Sequence, residues 1–349
     1  MAAINETEFK NQIKTGEFAN VYLIYGDEPY LKSFYVSQLM EKAVKPDFAA
    51  FNLHIFDSSD IDLKQAADCA ETLPMMDERV CVVIKDLNLS GLNAGQNEIL
   101  EQMITDVAES TVLLFWLQNV EVDLKRNDKW KKVIQLFEKN GTVVVLNRRT
   151  NAQIVKMLVT GAKKRNKVLS EQLAGYLISL VGDDLNALLN EMEKLCFYCK
   201  TETVAKEDID SIVTKSVEAS VFDLAGYIVN SNADMALKTL SALFANKTDP
   251  VNISAALISA YVDMYRAKVF VTSGFQAAQA AKYYNYRNRE FRLKYALRDA
   301  SKIDLRQLRV CLDVLSDTDI KLKSTSADKK ILLEETIVKL MLVSNGQKI

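Results

Sequence analysis

Proline and glycine are scarce in this sequence of 349 residues, which contains 4 Pro and 11 Gly. Tight turns draw heavily on these two residues, glycine above all where the backbone takes a positive φ. A sandwich or barrel of many short strands needs frequent turns, so the composition disfavours an all-β fold. It also disfavours a disordered chain, which is usually rich in proline. We therefore expect a folded chain that is largely helical.

An excess of charge of one sign is also missing, since 44 Lys and Arg residues face 46 Asp and Glu residues. Bulk charge therefore draws the protein neither to nucleic acid nor to an anionic membrane. The 5 cysteines, an odd number at irregular positions, do not make a disulfide framework. No apolar run approaches the roughly 18 residues of a membrane helix, and the first residues lack the pattern of a signal peptide. We expect a cytoplasmic protein.

Residues that could hold a metal ion are few. The only histidine is His54, and the one CxxC pattern, Cys196 to Cys199, stands alone at the end of a predicted helix. A structural zinc site needs four ligands, and two cysteines three positions apart on a helix are typical of a buried core face. We expect no metal ion and no cofactor.

Three segments differ in their hydrophobic pattern. Residues 1–147 alternate helical periodicity with apolar runs rich in Val, Ile and Leu, which is typical of an α/β domain with a parallel sheet. Its predicted strands are 21–25, 80–84, 111–117 and 142–146, with a weaker one at 54–56.

Strands stop after that point. Residues 148–215 predict a bundle of three helices, whose starts are marked by Thr150 or Asn151, by Ser170, and by Asp183 or Asp184. Residues 216–349 carry helical periodicity throughout.

The first strand runs into a segment with the spacing of a phosphate-binding loop. Gly26 is followed by four residues, then Leu31, Lys32 and Ser33, and then a helix. Leu31 replaces the glycine that lets a backbone approach phosphate, and Pro29 removes one of the N–H groups that such a loop turns inward. The loop is therefore a degenerate one.

Two acidic residues strengthen this interpretation, because Asp27 and Glu28 would stand beside a polyphosphate. Each such repulsive contact near 4 Å costs about 4 kcal/mol at an effective dielectric of 20. We interpret Asp27 or Glu28 as the N-cap of a helix with Pro29 in its first turn, and we expect Lys32 to be solvated.

Other parts of a nucleotide-hydrolysing site are also altered. The strand at 80–84 ends in Lys85 and Asp86, where two adjacent acids would hold Mg²⁺. Asn119 follows the strand at 111–117, at a place suited to a polar sensor residue, and Asn186 stands where a lid helix usually carries an arginine. We expect no catalytic residues and no bound nucleotide.

Four stretches in order along the chain resemble the delta subunits of bacterial clamp loaders, which are nucleotide-free relatives of AAA+ ATPases. They are Tyr22-Leu-Ile-Tyr-Gly-Asp-Glu-Pro-Tyr-Leu31, Leu73-Pro-Met-Met-Asp-Glu-Arg-Val-Cys-Val-Val-Ile84, Gly182-Asp-Asp-Leu-Asn-Ala-Leu-Leu-Asn-Glu-Met-Glu-Lys-Leu195 and Leu315-Ser-Asp-Thr-Asp-Ile-Lys-Leu-Lys323. The resemblance implies an AAA+-like domain over 1–147, a lid over 148–215 and a helical collar for oligomerisation over 216–349.

It also implies the function. A delta subunit binds and opens the ring-shaped sliding clamp during DNA replication, as a subunit of the DNA polymerase III holoenzyme and without ATP hydrolysis of its own. Its other partners would be the motor and delta-prime subunits, met through the collar, and primed DNA within the complex.

In the family the clamp contact is made by two bulky apolar residues between a helix and the next strand, and the resemblance assigns them to Met75 and Met76. We expect the neighbouring Leu73 and Arg79 to share this contact. Pro74 ends the helix, so a short connector would project the two methionines, whose flexible and polarizable side chains suit a hydrophobic pocket. The alternative is that both methionines pack in the core of the sheet.

Aromatic and basic residues alternate over 282–294, a composition found where proteins contact phosphates or single strands. Arg287, Arg289 and Arg292 are the candidates for a DNA contact. The alternative is a helix with its rings packed inward and a solvated basic face.

Two rival functions are also compatible with the sequence. One is an AAA+ or P-loop ATPase subunit with an unusual nucleotide site, which would bind ATP as an isolated chain. The other is a helical DNA-binding protein, which would bind DNA in a salt-sensitive manner without any clamp.

Overall fold

The computed structural model describes residues 3–57, 61–284, 286 and 291–347. The chain divides into two compact units, Met1–Arg149 and Thr150–Ile349. No helix in the described ranges has the length and apolar character needed to cross a membrane.

The first unit is built on a five-stranded sheet in which every neighbouring pair of strands is parallel. The strands are β1 (Val21–Tyr25), β2 (Leu53–Asp57), β3 (Val80–Lys85), β4 (Thr111–Trp116) and β5 (Thr142–Val145), in the order β2-β3-β4-β1-β5. The predicted α/β class is confirmed. The weakest predicted strand, β2, lies at the edge of the sheet, where only one side of it can pair.

Within the described residues of this unit, six α-helices accompany the sheet, and a helix lies between each pair of strands that follow one another. They are α1 (Glu6–Thr15), α2 (Pro29–Ala43), α3 (Ala49–Asn52), α4 (Leu63–Ala70), α5 (Ala94–Thr105) and α6 (Asp128–Asn140). We did not predict α1, which begins with a capping box between Asn5 and Glu8. Asp62 caps α4.

Both faces of the sheet are covered, which explains why its strands are continuous apolar runs. On one face Phe115 of β4 meets Phe137 of α6 with ring centroids 5.0 Å apart. On the other, Tyr22 of β1 meets Phe9 of α1 with centroids 5.5 Å apart. The hydroxyl of the fully buried Tyr22 donates to Gln12 at 2.8 Å and accepts from the Ala19 amide at 2.8 Å.

The second unit is helical throughout its described residues, apart from one β-bridge between Val168 and Thr203. Its helices are α7 (Asn151–Lys163), α8 (Glu171–Val181), α9 (Leu185–Tyr198), α10 (Lys206–Ile212), α11 (Val217–Val229), α12 (Ala233–Ala245), α13 (Pro250–Thr272), α14 (Phe291–Ala300), α15 (Leu305–Ser324) and α16 (Lys329–Ser344). Thr150, Ser170 and Asp184 provide the N-caps of α7, α8 and α9.

The short helix α10 adds a fourth helix to the three predicted for 148–215. It buries one large apolar residue, Ile209, which is too little periodicity for a prediction. The division of the second unit into a lid and a collar stays a prediction.

The turn after β1 is closed by the loop after β5. The Leu146 amide donates to the Tyr25 carbonyl at 2.8 Å, and the Leu146 carbonyl accepts from the Glu28 amide at 3.0 Å. Gly26 lies between these two bonds with φ 132°, and a Cβ there would stand 2.3 Å from the Leu146 oxygen. Only glycine fits this position.

We expect Gly26→Ala to destabilise the first unit by at least about 3 kcal/mol, because it adds a clash with backbone to a strained φ. Gly16→Ala is the matched control: Gly16 also has a positive φ, 78°, but a Cβ there meets nothing within 4 Å. It should cost about 1–2 kcal/mol. Urea unfolding followed by tryptophan fluorescence reports on this unit, since Trp116 and Trp130 are the 2 tryptophans of the chain. Equal losses in the two variants would contradict the expected clash.

Candidate functional site

In a parallel sheet all strands begin on one side and end on the opposite side. We call the side where the strands begin the amino edge and the side where they end the carboxyl edge. The degenerate phosphate loop follows β1 at the carboxyl edge, together with Asp86 after β3 and Asn119 after β4. Residues 73–79, which we call the tip, precede β3 at the amino edge. The six residues of β3 separate the two edges by about 20 Å.

Lys32, in the first turns of α2, is buried with only 3% of its surface exposed. Its Nζ donates to the carbonyls of Leu117 and Gln118, both at 2.8 Å. Burial lowers the pKa of Lys32, although the nearby carboxylates of Asp86, Asp27 and Glu28 oppose this shift. The expectation of a solvated Lys32 is therefore wrong, because the loop after β4 supplies carbonyls that the sequence does not reveal.

The start of α2 agrees with the predicted cap. A carboxylate oxygen of Glu28 accepts from the Tyr30 amide at 3.2 Å, and Pro29 occupies the first turn. The hydroxyl of Ser33, which in a functional phosphate loop would reach Mg²⁺, donates to the Pro29 carbonyl at 3.1 Å. The Glu28 carboxylate and the Ser33 hydroxyl therefore bond to the backbone at the start of α2.

Asp86 and Asn119 are brought together at the carboxyl edge. One carboxylate oxygen of Asp86 accepts from the Asn119 amide at 2.6 Å, and the other accepts from the Asn119 side chain at 2.7 Å. Asp86 holds a left-handed backbone, φ 56°, and is largely buried. The acid and the polar residue expected of a hydrolytic site thus bond to each other.

The described residues contain no cluster of His, Cys, Asp and Glu that could hold a metal ion. Cys196 and Cys199 are buried free thiols. Burial, reinforced by a hydrogen bond with Asp208, raises the pKa of Cys199 to about 11, so this thiol stays protonated at neutral pH.

The tip presents three apolar side chains to solvent. Leu73 is 84% exposed, Met75 54% and Met76 77%. The alternative of two core methionines is therefore wrong. Arg79, the fourth residue assigned to this contact, is half-buried and lies over the ring of Phe18, with its guanidinium carbon 5.2 Å from the ring centroid.

Two buried polar side chains hold the backbone of the tip. Asn52, at the end of α3, accepts from the Met75 amide at 2.7 Å and donates to the Met75 carbonyl at 2.9 Å. Asp77 accepts from the backbone amides of Lys45 at 2.7 Å and Glu78 at 2.8 Å. Burial would raise the pKa of Asp77, but these hydrogen bonds and the Lys45 ammonium lower it below the usual value of an aspartate.

Sequence reasoning missed Asn52 and Asp77. Asn52 lies 23 residues before its partner Met75, and no local pattern links them. The only signal at Asp77 is a carboxylate beside two exposed methionines, which is equally typical of an ordinary surface turn.

The three arginines proposed for DNA contact divide into two groups. Arg287 and Arg289 lie outside the described residues. The side chain of Arg292 is 13% exposed and pairs with Glu218 at 2.8 Å and with the buried Asp263 at 2.7 Å. This geometry makes Arg292 part of the interior of its unit.

Two family models match the chain. The model for the DNA polymerase III delta subunit matches residues 22–147, and the model for the C-terminal domain of that subunit matches residues 218–340. Together they span most of the chain and both describe the same subunit.

Individual proteins agree with the family models. The DNA polymerase III subunit delta of Bacillus subtilis (strain 168) is 28% identical over 336 residues, which cover 94% of this chain and 95% of that protein. A probable DNA polymerase III subunit delta of Aquifex aeolicus (strain VF5) is 22% identical over 299 residues, covering 84% of this chain and 83% of that one. Among solved structures, the Bacillus subtilis DNA clamp loader delta protein matches with a TM-score of 0.63 at 27% identity, over 96% of this chain and 99% of that one.

We expect Lys32→Met to destabilise the first unit by about 2–4 kcal/mol, because two buried carbonyls lose their donor. Lys42→Met is the matched control, since Lys42 lies on the same helix but is exposed, and should change stability by less than about 0.5 kcal/mol. Urea unfolding followed by tryptophan fluorescence makes the measurement. If the two variants unfold alike, the ammonium of Lys32 does not stabilise this edge.

Proposed function

Since this chain belongs to the family of DNA polymerase III delta subunits, we propose that it binds the sliding clamp through its tip and favours the open ring. Membership of the family itself gives a role in clamp loading, as one subunit of a polymerase complex. The proposal adds that the tip is the clamp-binding surface, that binding favours the open ring, and that this chain does not hydrolyse ATP.

The exposed apolar tip is the observation that carries the proposal. Leu73, Met75 and Met76 are exposed to solvent on a loop whose backbone is bonded to the buried side chains of Asn52 and Asp77. Exposed apolar side chains grouped in this way are typical of a contact with another protein. Complete burial of two methionines supplies roughly 3–6 kcal/mol, enough to anchor an interface.

Opening of the ring would follow from unequal affinity. A tip that binds the open clamp better than the closed one shifts the population toward the open form by that difference. Clamp opening of this kind needs no chemistry in the subunit that binds.

We propose that ATP acts through neighbouring subunits, because the groups expected to hold it here are engaged within the chain. Lys32 donates to two carbonyls, Ser33 to a third, and Asp86 accepts from Asn119. A nucleotide would have to break these bonds and approach three carboxylates.

The remaining partners are proposals of the same kind. Residues 148–215 would form a lid, and residues 216–349 a collar that meets the motor and delta-prime subunits. Exposed apolar side chains on α15 and α16, including Ile320 and Ile331, support a contact there. Arg287 and Arg289 are proposed for the phosphates of primed DNA, whereas Arg292 is left out because its guanidinium is paired with two carboxylates.

Replacing both methionines tests the clamp contact. We expect Met75→Ala/Met76→Ala to weaken binding of purified sliding clamp by at least about 100-fold, which corresponds to about 2.7 kcal/mol. Isothermal titration gives the affinity, and urea unfolding should show an unchanged first unit because both side chains are exposed. Met235→Ala is the control, since Met235 is an exposed methionine of the second unit. An unaltered clamp affinity in the double variant would remove the tip from the proposal.

Titration with ATP and Mg²⁺ tests the proposal that ATP acts through neighbouring subunits and does not bind this chain. We expect no binding by the isolated chain at ATP concentrations up to about 1 mM, which corresponds to a free energy of binding weaker than about −4 kcal/mol. Stoichiometric binding that disappears in Lys32→Met would instead favour an ATPase subunit. Salt-sensitive binding of DNA without clamp would favour the DNA-binding alternative.

A further inference from the structure

We infer that Asn52 and Asp77 are positioning residues that fix the tip in its clamp-binding conformation before the clamp arrives. This inference rests on the proposed function and assigns a part in it to two residues whose side chains are buried. Neither residue is exposed to a partner, so both would act only through Met75 and Met76.

Asn52 uses both ends of its side-chain amide. Its oxygen accepts from the Met75 amide at 2.7 Å, and its nitrogen donates to the carbonyls of Met75 at 2.9 Å and Phe48 at 3.1 Å. Both donor hydrogens of the amide are thereby used. Asn52 is fully buried, so water cannot replace these bonds. The backbone of Met75 is therefore held by one residue in the way that a neighbouring strand would hold it.

Asp77 holds the other side of the tip. Its side chain is 3% exposed, and its two oxygens accept from the backbone amides of Lys45 at 2.7 Å and Glu78 at 2.8 Å. The Lys45 ammonium lies 3.7 Å from the same carboxylate. A charged acceptor makes stronger hydrogen bonds than a neutral one.

Met76, between the two anchors, has a left-handed backbone with φ 58°. A residue with a flexible unbranched side chain rarely adopts this conformation unless its surroundings impose it. Asn52 bonds to the backbone of Met75, the residue before Met76. Asp77, the residue after Met76, is held by its own bonds to the amides of Lys45 and Glu78. The hydrogen bonds of Asn52 and Asp77 thus impose the backbone turn that directs the side chain of Met76 into solvent.

A preorganised loop binds more tightly because the entropy of ordering it is lost on folding, not on binding. We therefore expect Asn52→Ala to weaken clamp binding by about 10- to 100-fold, while the exposed methionines remain in place. Asp77→Asn keeps the size of the side chain and removes its charge, and should weaken binding by about threefold to tenfold.

A double-mutant cycle separates positioning from general destabilisation. The loss of clamp affinity caused by Asn52→Ala should be at least threefold smaller in the Met76→Ala protein than in the wild type. The reason is that one of the two side chains positioned by Asn52 is already missing in the Met76→Ala protein. Additive effects would overturn the inference. Hydrogen exchange of the Met75 amide, measured without clamp, should accelerate in Asn52→Ala even where global unfolding is little changed.

Asn20→Ala is the matched control. Like Asn52, Asn20 makes three side-chain hydrogen bonds within this unit: its amide nitrogen lies within bonding distance of the carbonyls of Ala108, Glu109 and Thr111, none of which belongs to the tip. It should lower stability without changing the clamp affinity of the folded protein. If Asn20→Ala and Asn52→Ala weaken clamp binding equally, the inference is overturned.

The outcomes also separate this inference from the proposed function. If Met75→Ala/Met76→Ala binds the clamp as the wild type does, the proposed function fails, and the inference fails with it. If that variant loses binding while Asp77→Asn and a folded Asn52→Ala keep it, only the inference fails. Should Asn52→Ala not fold, Asp77→Asn carries the same test.

Discussion

The parallel direction of all five strands is the constraint that separates the degenerate phosphate loop from the tip. It divides the loops of the first unit between two edges, which the length of β3 holds about 20 Å apart. At the carboxyl edge, polar side chains satisfy one another and the adjacent backbone. At the amino edge, polar side chains are buried so that apolar ones are exposed. The usual distribution of the two residue classes is therefore inverted at the tip.

Lys32 keeps the position of the lysine in a phosphate-binding loop but has different partners. In a phosphate loop the lysine neutralises the anion, whereas here its ammonium satisfies the carbonyls of Leu117 and Gln118. Burying an ammonium is costly unless it is hydrogen-bonded, and these two bonds, with Asp86 and Glu28 nearby, provide that compensation. At this edge the hydrogen bonds therefore join α2 to the loop after β4.

Periodicity predicted the strands to within one or two residues, because a strand buried on both faces has an unmistakable apolar run. The chemistry of single residues predicted that the phosphate loop is degenerate, since Pro29 and Leu31 lie within it. Neither kind of local signal predicted the burial of Lys32 or the role of Asn52, whose partners lie 85 and 23 residues away along the chain. Periodicity missed α10 because one buried residue makes no pattern. The roles of Lys32 and Asn52 could not be predicted because they depend on contacts that only the fold creates.

If binding is to open the ring, a rigid tip would affect the difference in affinity between the open and the closed clamp as well as the affinity itself. A ligand shifts an equilibrium only by the difference between its affinities for the two states. A loop free to rearrange can adapt to a closed and an open clamp alike, and that freedom reduces the difference. A loop whose backbone is held on both sides of Met76 matches one arrangement of a pocket and penalises the other. The bonds from Asn52 and Asp77 would thus convert binding energy into discrimination between clamp states, which is the property that the proposed function requires.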